Sequence, residues 1–205
     1  PKLYEFRAGM PCVLGIQEER VVPPHDAELA KMEDLYTEAE FYDDLSGQPL
    51  SKDLVIKARM LELKFFRDMK VYTKMPREKG MKVITTRWLD INKGDSKTPN
   101  YRSRLVGREL NLCKRDDLFA GTPPLESLRM LISKASSKKG NLLMAVDVKR
   151  AYFYAPATRP IYVEIPMEDR VPGDENNVAK LNLSLYGTRG AAMNWVSAYT
   201  KVLVD

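Results

Sequence analysis

The apolar run LLMAV at residues 142–146 stops directly on Asp147, and this junction constrains the chain more than any other feature. Five apolar residues are too few for a helix and enough for a strand buried on both faces. Such a strand needs neighbours, and the residues that follow offer two. Ile161, Val163 and Ile165 alternate with Tyr162 and Glu164, and Leu181, Leu183 and Leu185 alternate with Asn182 and Ser184. Strand side chains alternate with period two, so each segment turns one apolar face inward. Residues 142–147, 161–165 and 181–185 are therefore expected side by side in one sheet, with Asp147 at its exit edge. A carboxylate there costs desolvation energy unless it binds a cation or accepts hydrogen bonds. Its fixed position suits a metal ligand, and Mg²⁺ takes only one or two carboxylates plus substrate phosphates. Aspartates at strand ends also cap the following turn, so Asp147 alone does not choose between the two roles.

Helices have to cover this sheet, and four segments carry the right spacing. Leu29, Met32, Tyr36 and Ala39 predict a helix over 26–40. Ser51 caps a second, whose apolar stripe is Leu54, Ala58, Leu61, Phe65 and Met69. Thr122-Pro123-Pro124 opens a third with Leu128, Leu131, Ile132 and Ala135 inward, ending at Gly140. After Gly187, Ala191, Trp195, Ala198, Tyr199 and Val202 form the last. Residues 1–25 show no periodicity, and FYDDLSGQPL at 41–50 reads as a turn-rich linker. No internal repeat is present. The expected class is α+β, with an antiparallel sheet packed on helices.

Between the second and third helices lies a predicted β-hairpin: Lys82–Asn92, the polar turn KGDSKTPN, and Tyr101–Leu110 returning. Arg102, Arg104 and Arg108 share one face of the second strand, with Tyr101, Ser103 and Leu105 opposite. Three arginines on one face build a poor core. They either hold phosphate or guard an exposed edge against association. The formal net charge of +5 conceals the asymmetry behind this choice. Lys70 to Arg115 carries thirteen Lys/Arg against four acids, a net +9, whereas Asp26 to Asp44 carries eight acids and Lys31 alone, a net −7. A block that basic is either a solvated face or a surface for a phosphate backbone.

Composition removes several alternatives. Hydrophobic residues at 44% and charged residues at 30% are globular values. No apolar run approaches the length of a membrane span, so no membrane partner is expected. Cys12 and Cys113 are far apart and suit reduced thiols in an intracellular protein. A single histidine, His25, argues against a zinc site or a histidine-based triad. The chain begins without Met or an apolar leader core and is expected to be a piece of a longer product.

Four segments, in order, then carry a resemblance. AVDVKRAYFYAP (145–156) resembles the first polymerase motif of reverse transcriptases, an aspartate after a buried strand followed by an aromatic pair. LNLSLYGTRGAAMNW (181–195) resembles the second, Leu-Tyr-Gly with a following basic residue and a closing Trp, in the form found in copia-type retrotransposons. RPIYVEIP lies between them, and KVITTRWLDIN with YRSRLVGRELN upstream resembles the fingers hairpin of the same family. The resemblance covers roughly residues 50–205. It implies polymerase fingers over 46–140 and a partial palm over 141–205, with 1–45 as an irregular, acidic arm.

Carried over by position, the resemblance makes Asp147 the first catalytic aspartate and a ligand of Mg²⁺, with Mn²⁺ as the alternative ion and the backbone carbonyl of Val148 beside it. The chemistry implied is two-metal nucleotidyl transfer. Arg150 and Ala151 would turn their amides to the incoming triphosphate, and Tyr152 would close the pocket under the sugar. Tyr186 and Gly187 would pack on the new nucleotide, and Arg102 or Arg104 would reach its phosphates. Lys82, Arg108 and Arg189 are candidates for nucleic-acid contact. The implied partners are an RNA template, a DNA primer, deoxynucleoside triphosphates and the rest of a Pol polyprotein: remaining palm, thumb and RNase H. The implied location is a cytoplasmic particle or the nucleus.

Departures from the family pattern count as well. Ala192 stands where Pro is usual, and Val-Gly-Arg (106–108) replaces Val-Ala-Lys. The third motif, an aromatic followed one residue later by two aspartates, is expected beyond Asp205. Asp43-Asp44 after Phe41-Tyr42 imitates it but sits upstream of the hairpin and is rejected. Without that motif the 205 residues are expected to be inactive alone. Two other readings stand beside the polymerase: a degenerate or adopted fragment that only binds nucleic acid or a partner, and an unrelated basic α+β binding module.

Overall fold

The computed structural model describes residues 26–110, 121, 123–141, 143 and 147–204. The fold is mixed α and β, consistent with the α+β class. In chain order the elements are α1 (Asp26–Leu35), β1 (Phe41–Tyr42), β2 (Pro49–Leu50), α2 (Lys52–Asp68), β3 (Tyr72–Pro76) and β4 (Val83–Ile84). Then come β5 (Thr86–Asn92), β6 (Tyr101–Gly107), α3 (Leu125–Ser136), β7 (Tyr162–Val163), β8 (Asn177–Leu181) and α4 (Ala191–Val204). A single 3₁₀ turn at Ala151–Tyr154 follows Asp147, and another spans Met167–Asp169.

The long helix α2 is covered on two sides, which moves its buried face off the predicted stripe. Of the predicted stripe only Ala58 is buried, with Leu54, Leu61, Phe65 and Met69 partly so; Val55, Ile56, Met60, Leu63 and Phe66 are buried instead. Phe66 joins the main core, and Ile56 and Met60 pack with Met32 of α1 in a second cluster. Ser51 occupies the N-cap position but its side chain makes no capping bond; its backbone N–H instead donates to the Tyr101 hydroxyl at 3.0 Å. Lys70, with φ of 51°, turns the chain out of the helix into β3.

The central sheet has the order β3-β8-β7-β4. β8 runs antiparallel to β3 and β7, but β4 and β7 are parallel, pairing Val83 with Tyr162 and Ile84 with Val163. The expected all-antiparallel sheet is thus corrected. So is the single strand expected over 82–92, which changes partner at Thr85. On one side of that residue the Ile84 carbonyl accepts the Glu164 N–H at 2.9 Å; Thr85's own carbonyl accepts the Arg108 N–H at 2.8 Å. β5 then pairs antiparallel with β6, from Thr86 opposite Gly107 to Asn92 opposite Tyr101.

The strand expected at 181–185 lies earlier, at Asn177–Leu181. Beyond Leu181 the chain leaves the ladder: the N–H groups of Asn182 and Leu183 both donate to the Val71 carbonyl, and Leu183 bridges Pro156. β3 was not foreseen, because YTKMP lacks alternation and ends in proline. The strand expected at 142–147 falls largely outside the described residues.

The main core collects Phe66, Val71, Ile84, Leu105, Phe153, Ile161, Val163, Ile165, Ala179, Leu181 and Leu185. α3 does not join it. Its Leu128, Leu131 and Ile132 are about half exposed (49%, 55% and 49%), and none of its residues is buried. Periodicity establishes that a helix has an apolar side, not what covers it. α1 ends at Leu35 rather than Ala39, since the chain turns there to seat Tyr36 against Phe41, ring centroids 5.2 Å apart and nearly perpendicular.

Arg59 of α2 ties these layers together. It is buried, paired with Asp90 of β5 at 2.5 Å and with Glu168 at 3.3 Å, and its guanidinium lies over the rings of Tyr36, Phe41 and Trp88 at 4.9–5.1 Å from their centroids. Ser103 of β6 donates to the same Asp90 at 2.5 Å. Burial, followed by its bond to Glu168, pushes the Tyr36 hydroxyl far above its ordinary range.

Candidate nucleotide and nucleic-acid site

The hairpin β5–β6 has one inner and one outer face, as its period-two pattern requires. Trp88, Asp90, Ser103 and Leu105 point inward to Arg59 and the core. The outer face carries Arg102 and Arg104, both exposed, opposite Ile91 and Leu89 in register. With Arg87, Lys93, Asp44 and Leu45, these residues line a groove of about 350 Å³ with an apolar floor and four cationic side chains. Arg87 and Lys93 were missed as candidates, though the alternation along β5 was the signal that could have found them. Arg108 and Lys82 are exposed nearby in sequence but do not line this groove.

At its far end β6 is stitched to the turn at Tyr186–Arg189. The Gly107 N–H donates to the Tyr186 carbonyl at 2.7 Å, and the Glu109 N–H to the Gly187 carbonyl at 3.3 Å. The Arg189 N–H donates to the Glu109 carboxylate at 2.8 Å, and Arg159 holds both of its oxygens at 2.6 and 2.7 Å. Backbone meets backbone here: Gly187 has φ of +78°, and a Cβ on it would lie 2.0 Å from the Gly107 carbonyl oxygen. An alanine at 107 would crowd the Thr188 methyl, at 3.2 Å, and meet the Tyr186 and Gly187 carbonyl oxygens at ordinary contact distances of 3.7 and 3.8 Å. The glycine in Val-Gly-Arg therefore eases a contact that alanine nearly fits.

The stitching gathers three segments distant in sequence. Tyr152 lies against Tyr186 with ring centroids 4.5 Å apart, and the Arg104 guanidinium sits over the Tyr186 ring at 5.1 Å from its centroid. Phe153, one residue on, is fully buried and anchors the turn edge-on to Phe66 at 5.0 Å. Burial raises the Tyr186 hydroxyl above its usual value, with Arg104 opposing the shift. Ala151 opens the 3₁₀ turn and is half-buried.

Arg150, at the head of this turn, is left-handed, with φ of 53° and ψ of 44°. Its side chain runs back into the protein, where Nε donates to Glu62 at 2.8 Å and the guanidinium lies over Phe65 at 3.5 Å from the ring centroid. Burial raises the Glu62 carboxyl above the ordinary range, opposed by Arg150 and then by Arg104. Nothing in the sequence marked Glu62, since a glutamate on an amphipathic helix reads as solvent-facing.

Asp147 and Val148 precede the turn and are exposed. Among the described residues no three His, Cys, Asp or Glu side chains converge as a metal-holding group. One exposed carboxylate can share a Mg²⁺ with substrate phosphates, but it is not the donor set of a two-ion centre. Asp43 and Asp44 are otherwise engaged. Asp43 accepts the N–H groups of Leu45, Ser46 and Asn92, and Asp44 that of Asp90. These bonds hold Asp43 at a pKa of about 2 and fasten the β1–β2 turn to β5. No helix among the described residues is long and apolar enough to cross a membrane.

Residues 69–205 match the family of reverse transcriptases (RNA-dependent DNA polymerases), and the chain belongs to that family. More narrowly, it is a segment of the copia retrotransposon type. Over 163 residues it is 29% identical to the retrovirus-related Pol polyprotein of transposon TNT 1-94 from Nicotiana tabacum. That alignment covers 77% of this chain and 12% of the tobacco protein. No solved structure matches the chain significantly.

Proposed function

We propose that the chain forms the fingers (46–140) and first part of the palm (141–205) of an RNA-directed DNA polymerase within a Pol polyprotein, preceded by an acidic arm (1–45). Its substrates are then an RNA template, a DNA primer and deoxynucleoside triphosphates. The remaining palm, thumb and RNase H come from the same polyprotein, acting in a cytoplasmic particle or the nucleus. The observation that supports this most is the meeting of Arg104, Tyr152 and Tyr186, which come from the hairpin and from two separate motifs. An aromatic pair flanked by a guanidinium suits a nucleotide, with base or sugar on the rings and phosphate on the cation.

In this reading Tyr152 and Tyr186 wall the nucleotide, Gly187 lets the backbone approach it, and Arg102 or Arg104 holds its phosphates. Arg87, Lys93 and Arg108 track the nucleic-acid backbone, with Lys82 and Arg189 as further contacts. Asp147, with the Val148 carbonyl, would be this chain's share of the Mg²⁺ (or Mn²⁺) ligands, and the ion would steady charge on the phosphates. The described residues do not supply a two-ion centre, so no catalytic step is derived through it. A chain that binds nucleic acid without catalysis is the second reading, favoured by Asp147 having no converging carboxylate group among the described residues.

A salt titration tests the shared part of both readings. Phosphate contacts are independent of sequence, so binding to unrelated single strands should be similar. Arg102→Ala with Arg104→Ala should weaken binding and flatten the dependence of log K on log salt, by roughly 0.7–0.9 for each phosphate no longer neutralised. Unchanged affinity and slope would return these arginines to guarding the hairpin edge.

A further inference from the structure

Glu62 lies on α2, far in sequence from every motif, yet it is the residue that holds Arg150. Its side chain is 2% exposed. A buried carboxylate is costly unless it is paired, and this one is committed to a single partner: Oε2 accepts from Arg150 Nε, while Oε1 has no hydrogen-bond partner among the described residues. Arg150 Nη1 is likewise buried and unpartnered among them. Among the described residues the pair's hydrogen-bonding capacity is not filled, which argues for a positional role over a purely stabilising one.

What the pair positions is visible from the backbone. A non-glycine residue in the left-handed region is strained by contact of its Cβ with the following carbonyl. Arg150 keeps that conformation with its side chain clamped between Glu62 and the face of Phe65. The next residues are Ala151, Tyr152 and the buried Phe153, so the angle at Arg150 sets how Tyr152 meets Tyr186.

We infer that Glu62 is a positioning residue of the nucleotide site: it locks Arg150 in its left-handed conformation and so fixes the Ala151–Tyr152 turn against Tyr186. The consequence for triphosphate recognition rests on the polymerase reading above; the lock itself does not.

The two are separated by measuring both in the full 205-residue chain. Amide hydrogen exchange of residues 151–154, without nucleotide, reads the lock. Glu62→Gln keeps the shape and removes the charge, and it should speed that exchange by roughly tenfold or more, as loss of a buried ionic partner implies. Glu62→Asp should fall between. In an Arg150→Gly background Glu62→Gln should no longer speed the exchange, because glycine adopts the left-handed region without a clamp and the substitution there only removes a buried carboxylate that has lost its partner. An effect of Glu62→Gln that persists undiminished with Gly at 150 would show that Glu62 only packs α2, and would overturn the proposal. So would unchanged exchange in Glu62→Gln itself.

A fluorescent deoxynucleoside triphosphate, titrated into the same variants, reads the site. Removing a negative charge beside Arg104 and Arg150 strengthens anion binding if only net charge matters. The lock predicts the reverse, a weakening in Glu62→Gln; tighter or equal binding overturns the positioning role at the site. If the unaltered chain binds no triphosphate, the consequence claimed for triphosphate recognition by these residues fails, and the exchange experiment alone decides the lock.

Discussion

Replacing Gly187 by alanine tests the junction between the hairpin and the second motif. At φ of +78° an alanine incurs about 1–2 kcal/mol of left-handed strain. Its Cβ would also sit 2.0 Å from the Gly107 carbonyl oxygen and 3.0 Å from the carbonyl carbon, both backbone atoms that cannot swing aside. The two strands of chain must separate, stretching the bonds from Gly107 to Tyr186 and from Glu109 to Gly187, each worth about 1 kcal/mol. The expected loss is about 2–4 kcal/mol, or about 1–2 M in urea midpoint at a slope of about 2 kcal/mol per molar. Gly107→Ala is the control: its tightest contact is a side-chain methyl at 3.2 Å, it carries no positive φ, and it should stay within about 0.5 kcal/mol. Urea unfolding followed by fluorescence of Trp88 and Trp195 measures both. Equal midpoints for the two variants would refute the close backbone contact as a determinant of stability.

Arg59→Met should cost about 3–5 kcal/mol in a thermal or urea melt, because Asp90 and Glu168 stay buried without their partner; Asp90→Asn added to it should recover part, and a loss below about 1 kcal/mol would contradict the network. The Asp43 carboxyl is depressed to about 2 by three backbone N–H donors, so its contribution is complete above the ordinary aspartate value near 4 and is lost as pH falls toward 2. Asp43→Asn should accordingly flatten the acid limb of the stability profile between about pH 4 and 2, and an unaltered limb would remove Asp43 as its source. The 205 residues alone should show no Mg²⁺-dependent primer extension, since Asp147 stands without a converging carboxylate group among the described residues; robust synthesis abolished by Asp147→Asn would overturn that.

Elements whose partners lie close in sequence were legible from the residues. The hairpin β5–β6 declares itself by alternation and a polar turn, and α2 by its spacing, though which side of α2 is buried depends on what packs there. Features set by distant partners were not legible. β3 finds its partner in β8, and β4 finds a parallel partner in β7, neither of which leaves a mark in the local pattern. The same division holds at the site. Tyr152 and Tyr186 were singled out through a resemblance in short segments, and the arginines of β6 first through the alternation of the strand. Glu62 and Glu109 were not, because a carboxylate that serves as a buried brace has the same local signature as one facing water.

The pairing of β3 with β8 also sets an order of events during synthesis. Lys74 on β3 meets Asp174, just ahead of β8, across 100 residues of sequence. At translation rates of about 5–20 residues per second, β3 waits on the order of ten seconds for its partner to be made. β4 waits nearly as long for β7, while β5–β6 can close as soon as it leaves the ribosome. The nascent chain thus carries a finished basic hairpin beside two strands with open edges, a state prone to association with other chains or bound by a chaperone. A ribosome stalled before Asn177 should expose residues 72–76 to protease, and release through Leu181 should protect them.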